Sequence, residues 1–140
     1  MIRAVLLGFV LLAASYAACG AEVSREDAAA IRAVVSEQLD AFARDDGRRA
    51  FSLATEGIRA RFGTAEAFMA MVRSDYAVVY RPRNVEFDKA VVMDGKVMQP
   101  VRMIDAQGAA WIALYPMERQ ANGRWRINGC QVARLAAQQV

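Results

Sequence analysis

Ile31, Val34, Val35, Leu39 and Phe42 recur three or four residues apart, which places them on one face of an α-helix. Ser24 stands where an N-cap belongs, with Asp27 three residues on in a variant of the capping box, and Asp45-Asp46-Gly47 supplies the stop. A shorter helix from Arg48 to Ala54 would bury Phe51 and Leu53, Ile58 and Phe62 mark another helical turn before Gly63, and Thr64 opens a helix with Phe68, Met69, Val72 and Tyr76 on one face. Beyond Pro82 the period falls from about 3.6 to about 2. Strands over 84–93 and 97–104 flank Asp94-Gly95, a type I′ hairpin signal. Ala106-Gln107-Gly108 leads into a strand over 109–118, and Asn122-Gly123 into one over 124–133. Four strands joined by such short turns are antiparallel. Residues 77–80 read as a fifth strand on an edge, because Pro82 would interrupt a central ladder.

Alternation sets Trp111, Ala113 and Tyr115 against Ile112 and Leu114, and Trp125, Ile127, Gly129 and Gln131 against Arg126, Asn128, Cys130 and Val132. The Trp125-Ile127 face is the apolar one and is assigned to the helices, which makes Gln131 an inward polar group. Val85, Phe87 and Val91 take the same side in the first strand, where Lys89 breaks the face, and Val97, Gln99, Val101 and Met103 take it in the second. The fold class is therefore α+β, with amino-terminal helices packed on a curved antiparallel sheet of four to five strands. A bent sheet whose concave side the helices do not fill leaves a cavity for a ligand. Its candidate lining is Phe42, Tyr76, Tyr80, Gln99, Met103, Trp111, Tyr115, Trp125 and Gln131.

The chain has 140 residues, 56% hydrophobic and 24% charged, as expected of one globular domain. It has no histidine, which excludes Ser-His-Asp and Cys-His catalysis and His-ligated zinc or haem. The net charge is only +3 and the arginines are dispersed, which argues against a nucleic-acid partner. No metal or cofactor set is legible: Asp45-Asp46 lacks the spaced oxygens of a calcium loop, and the methionines have no His or Cys companions for copper. Arg3 followed by the apolar run Ala4 to Ala14 and small residues from Ser15 to Ala21 reads as a signal peptide over 1–21. One domain over 22–140 would remain, periplasmic or secreted and without a stable membrane span. A lipid anchor through Cys19 is the minority reading. Cleavage would leave Cys130 as a lone thiol, assigned to the core.

The helices-then-meander order resembles the NTF2-like, cystatin-related cone fold. Gln38-Leu39-Asp40-Ala41-Phe42-Ala43-Arg44-Asp45-Asp46, Tyr80-Arg81-Pro82-Arg83, Ala113-Leu114-Tyr115 and Trp125-Arg126-Ile127-Asn128-Gly129-Cys130 resemble the DUF4864 family. One departure is Ala54-Thr55-Glu56-Gly57 before Ile58-Arg59, where that family often has Ala-Ser-Pro. The resemblance implies an exported bacterial single-domain protein with a cone fold, and no reaction.

No catalytic set stands out. Asp40, Asp75 and Asp105 are candidates for proton transfer, Tyr76, Tyr80 and Tyr115 for oxyanion stabilisation, and Arg102 for anion binding. Arg81 and Arg83 around the rigid Pro82 form a second candidate anion site, against the plainer reading of a structural salt bridge. The sequence points to a noncatalytic binding module for a small, mainly apolar ligand. The alternatives are an NTF2-like isomerase, dehydratase or hydrolase using an Asp/Tyr pair, and a domain that dimerises through Ile112, Leu114 and Val132 on the outer sheet face.

Overall fold

The computed structural model describes residues 22–136, so the signal-peptide assignment and Cys19 lie outside the described residues. Helix α1 (Arg25–Ala43) starts at Ser24, whose hydroxyl accepts from the Asp27 amide at 3.0 Å. Asp27 does not complete a capping box. Its carboxylate accepts from Trp125 Nε1 at 3.2 Å and pairs with Arg119 at 3.5 Å, which ties the helix start to the sheet. Helices α2 (Gly47–Ser52), α3 (Glu56–Phe62) and α4 (Ala65–Asp75) are capped by Asp46, Thr55 and Thr64. Gly47 lets α2 lie close against α4, since a Cβ there would sit 2.6 Å from Met69 Cγ.

Residues 77–80 form a helical turn, α5 (Ala77–Tyr80), and correct the edge-strand expectation. Val78 and Val79 are both buried, unlike successive residues of a half-buried edge strand, and the Tyr80 and Arg81 amides bond back to the Tyr76 and Ala77 carbonyls.

The sheet is an antiparallel meander of β1 (Asn84–Phe87), β2 (Val91–Met93), β3 (Lys96–Ile104), β4 (Ala110–Arg119), β5 (Trp125–Ile127) and β6 (Gln131–Arg134). Asp94 and Gly95 have φ of 50° and 73°, as a type I′ turn requires. Strands β1 and β2 both pair with β3, and β5 and β6 both pair with β4, so each outer path is one expected strand broken in two. Phe87 pairs with Val101 and Val91 with Met98, leaving Asp88, Lys89 and Ala90 opposite only Gln99 and Pro100. Met117 pairs with Ile127 and Leu114 with Gln131, leaving Asn128, Gly129 and Cys130 opposite only Tyr115 and Pro116. Each break thus holds one extra residue, the defining feature of a β-bulge.

Both bulges face a proline on an inner strand. The Pro100 carbonyl accepts from the Asp88 amide at 3.1 Å and the Pro116 carbonyl from the Asn128 amide at 2.8 Å, but neither proline has an N–H to return. At the first, Gln99 Nε2 donates to the Asp88 and Pro100 carbonyls at 2.8 Å each. At the second, Gly129 takes φ 122°, open to glycine and costly for other residues.

An extra residue reverses the alternation that follows it. Gln131 is therefore exposed rather than inward, while Cys130 and Val132 join Ile127 on the helix side. Val91 is likewise exposed, and Val92, opposite the inward Val97, takes its place. Inward Val101, Met103, Ala113, Tyr115 and Met117 meet Ile31, Val35, Phe42 and Val79 in one core. The result is an α+β fold of helices packed against a curled antiparallel sheet.

Candidate functional site

The helices and the sheet part company at the β5–β6 edge and leave an open cavity of about 970 Å³. One wall is a stripe of α4, Phe68, Met71, Val72 and Asp75, at helical spacing, continued on α3 by Ile58, Arg61 and Phe62. The opposite wall is the bulged path from Ile127 to Ala133, and Phe42 and Tyr115 lie at the base. Phe68 anchors the helical wall, with ring centroids 6.1, 5.4 and 5.7 Å from those of Phe42, Phe51 and Phe62. Most polar groups in the lining are already engaged. Gln38 Nε2 donates to the Ala50 carbonyl at 3.1 Å, Asn128 Oδ1 accepts from the Thr55 hydroxyl at 2.8 Å, and the Tyr76 hydroxyl donates to the Cys130 carbonyl at 3.1 Å.

Tyr115 is the buried exception. The residue is 1% exposed and its hydroxyl has no hydrogen-bond partner among the described residues. Cys130 is its polar neighbour, and a thiol is too weak a partner to give the hydroxyl a well-formed hydrogen bond. Burial raises the Tyr115 phenol well above its ordinary range, with the adjacent Cys130 adding to the effect. Burial likewise pushes the Cys130 thiol up to about 12, against a smaller lowering by Tyr115. Both groups are protonated at neutral pH, so the thiol is a poor nucleophile and the phenol is a hydrogen-bond donor in want of an acceptor.

Of the nine residues proposed as pocket lining, Phe42, Tyr76 and Tyr115 border this cavity, and Gln131 borders it from an exposed position. Tyr80 and Trp111 border a second hollow, of about 500 Å³, beside Arg81 and Asp105. Trp111 Nε1 donates to Asp105 at 2.8 Å, and the Gln107 and Ala109 amides donate to the same carboxylate at 2.9 Å each. That set, the Trp111 bond first, holds the Asp105 carboxyl below its usual range and fixes a turn. Met103 and Gln99 are buried and border neither hollow, and Trp125 is engaged by Asp27.

The anion-site candidates meet carboxylates of the chain itself. Arg81 donates to Asp45 Oδ2 at 3.1 Å and to the Phe42 carbonyl, and its guanidinium lies 4.0 Å from the Tyr80 ring centroid. The Tyr80 hydroxyl also donates to Asp45, and Arg73 approaches it at 3.4 Å. Asp45 is accordingly held below the usual carboxyl range, by the Tyr80 bond foremost and then by Arg81. This exposed cluster closes the end of α1, the salt-bridge reading of Arg81. Arg83 is exposed and forms no side-chain hydrogen bond or ion pair among the described residues. Arg102 is bound by Asp88 at 2.8 Å and Glu86 at 2.9 Å on the outer sheet face. Asp40 is exposed on α1, and Asp75 is exposed at the cavity rim.

Ile58, Arg61, Phe62, Met71 and Cys130 were missed. The sequence pattern puts the hollow on the concave side of the sheet, much of which Val101, Met103 and Ala113 fill. The signal that could have found it was the matching three- and four-residue spacing of Ile58, Arg61 and Phe62 with Phe68, Met71, Val72 and Asp75 on successive helices. Among the described residues, no three His, Cys, Asp or Glu side chains are grouped to hold a metal ion, and no helix is long and apolar enough to cross a membrane.

A helical layer on a bulged antiparallel meander, hollow along one edge, defines the class to which this chain is assigned. It belongs to the DUF4864 family, described as a domain of unknown function, whose model matches residues 24–140. No curated protein and no solved structure matches the chain.

Proposed function

We propose that this protein is an exported, noncatalytic binding module of the NTF2-like superfamily that holds a small, mainly apolar ligand between α3–α4 and β5–β6. The observation that carries the reading is an apolar cavity of about 970 Å³ whose base contains a buried, unpaired Tyr115 hydroxyl. Such a volume suits a small molecule, and a donor at the base favours a ligand that brings one hydrogen-bond acceptor into an otherwise apolar contact. The superfamily rests on helices preceding a curled meander, and export rests on Arg3 and the apolar run after it. Dispersed arginines, many engaged by carboxylates of the chain, favour a small-molecule partner over nucleic acid.

Catalysis by an Asp/Tyr pair draws no support from the carboxylates. Among the described residues the one such pair in hydrogen-bond contact, Asp45 with Tyr80, is exposed and ringed by arginines, and its carboxyl is lowered where a general base would need it raised. The test is a thermal-shift titration with undecanone and with the alkane of equal length. Undecanone should raise the melting temperature more than the alkane, and Tyr115→Phe should remove the difference. No shift with either compound would overturn the reading.

A further inference from the structure

We infer that the ligand is an anionic single-chain amphiphile of the fatty-acid type, lying along the cavity with its carboxylate at Arg61. The inference rests on the binding reading above and adds orientation and charge to it.

The hollow is walled by linear elements, two helices on one side and an extended path on the other. From Phe68 to Asp75 the α4 stripe advances about 10 Å along the helix axis, and Ile58 and Arg61 border the same hollow from α3. The facing wall runs from Ile127 to Val132 along an extended path. A flexible chain fills such a shape better than a fused ring system.

The two ends differ in charge. Arg61 is exposed at one, 5.9 Å from the Phe62 ring centroid, and forms no ion pair or hydrogen bond among the described residues. This distinguishes it from Arg73, Arg81 and Arg102, each held by a carboxylate. Asp75 stands at the other end, one turn beyond Met71 and Val72, where it would repel an anionic head. Arg126, which donates to the Ser52 and Ala54 carbonyls just ahead of α3, and Arg59 on the same helix, whose Nε is buried without a partner among the described residues, add positive charge on the α3 side. The acids on neighbouring elements are Glu56 at the exposed start of α3, Glu66 in the first turn of α4 and Glu118, register partner of Arg126. An anion entering head-last is thus attracted at one rim and excluded from the other, while its chain covers Phe62, Phe68 and Val72 and an in-chain oxygen, where the ligand has one, meets the Tyr115 hydroxyl.

The experiment is calorimetric titration of the protein with dodecanoate, dodecanol and dodecyltrimethylammonium, each below its micellar concentration. Arg61→Gln and Asp75→Asn are run in parallel, and circular dichroism confirms the fold of each variant. Dodecanoate should bind about tenfold more tightly than dodecanol, the return expected of one charge-assisted contact. Arg61→Gln should bring the two within about twofold without weakening dodecanol, and Asp75→Asn should leave the preference for the carboxylate in place. Equal binding of the three amphiphiles, tightest binding of the cation, or a carboxylate preference that survives Arg61→Gln would each overturn the assignment while leaving the binding module standing. Failure of all three to bind would remove the binding reading itself, and this inference with it. Co-sedimentation with phosphatidylglycerol vesicles in place of monomeric dodecanoate binding would mark a lipid surface as the source of the anion and overturn the soluble-ligand assignment.

Discussion

The two outer paths of the sheet meet the same difficulty and resolve it differently. At 88–90 and at 128–130 the edge chain faces an inner-strand proline that accepts an amide hydrogen but returns none. Each proline follows an inward residue, Gln99 before Pro100 and Tyr115 before Pro116, and those two residues are themselves register partners across β3 and β4. Gln99 has an amide that turns back onto the Asp88 and Pro100 carbonyls, so that side of the sheet is sealed from within. Tyr115 has a hydroxyl at the end of a ring, which cannot reach back in this way, and it remains unpaired beneath the cavity. The backbone event is common to both edges. The neighbouring side chain decides whether the interior there is solid or hollow.

The hardest test of that contrast is Gln99→Leu. It keeps the volume roughly constant but strips the donor from two carbonyls beside a buried position, so it should cost about 3 kcal/mol of unfolding free energy. If the amide stands in for the missing proline N–H, adding Pro100→Val should return about 1 kcal/mol, because the new N–H can donate to the Asp88 carbonyl. Urea unfolding of both variants decides this. A double variant no more stable than Gln99→Leu would break the comparison at its first term.

On the other edge the substitution of consequence is Gly129→Ala. A Cβ there would lie 3.7 Å from Pro116 Cγ, an ordinary contact, so sterics with the proline are not the obstacle. The φ of 122° is, and holding alanine in it should cost about 2 kcal/mol. A loss near zero in urea unfolding would mean the bulge can relax, and the Cys130 face would then not be fixed.

Much of the architecture could be read from the chain because long periodic segments carry it. Ile31 to Phe42, the Thr64 cap, the Asp94-Gly95 turn and the inward set Val97, Gln99, Val101 and Met103 all lie where the pattern placed them. The bulges were not read, although their signals were present. Pro100 and Pro116 sit in the middle of strands where a regular ladder has no room for them, and Lys89 and Gly129 fall in the irregular paths opposite. A period of two cannot register a one-residue insertion. It therefore sent Gln131 inward and Val132 outward, the reverse of their positions, and set Cys130 on the outer face although its chemistry assigns it to the core, where it lies. The error moved the site too, since the cavity wall is built from the reversed segment. Residues 77–80 failed for another reason: four apolar or aromatic residues are too few to separate a strand from one helical turn, and the Tyr76 and Ala77 carbonyls decide it.

A smaller effect of opposite sign comes from Tyr115→Phe. Most losses of a buried hydroxyl destabilise because a hydrogen bond goes with it, but here none exists, and removing an unpaired polar atom should stabilise by about 1 kcal/mol. A destabilisation of that size in urea unfolding would mean the hydroxyl has a partner in solution, and the two edges would then be alike.

The last difference is silent at neutral pH. Cys130 has its thiol raised from an ordinary 9.0 to about 12 in the folded protein, through burial first. A group raised by folding binds its proton more tightly in the native state, so its contribution is complete below 9.0 and is lost as the pH climbs toward about 12. Tyr115, raised from 10.0 also by burial, adds to the slope in the upper part of that window. Urea unfolding between pH 8 and 11 should therefore show falling stability, a shallower fall in Cys130→Ala, and the shallowest in Cys130→Ala combined with Tyr115→Phe. Gln99 has no proton to lose, so Gln99→Leu should lower the whole curve without changing its alkaline slope. If it changes that slope as much as Cys130→Ala does, the sealed edge and the hollow one are not electrostatically distinct.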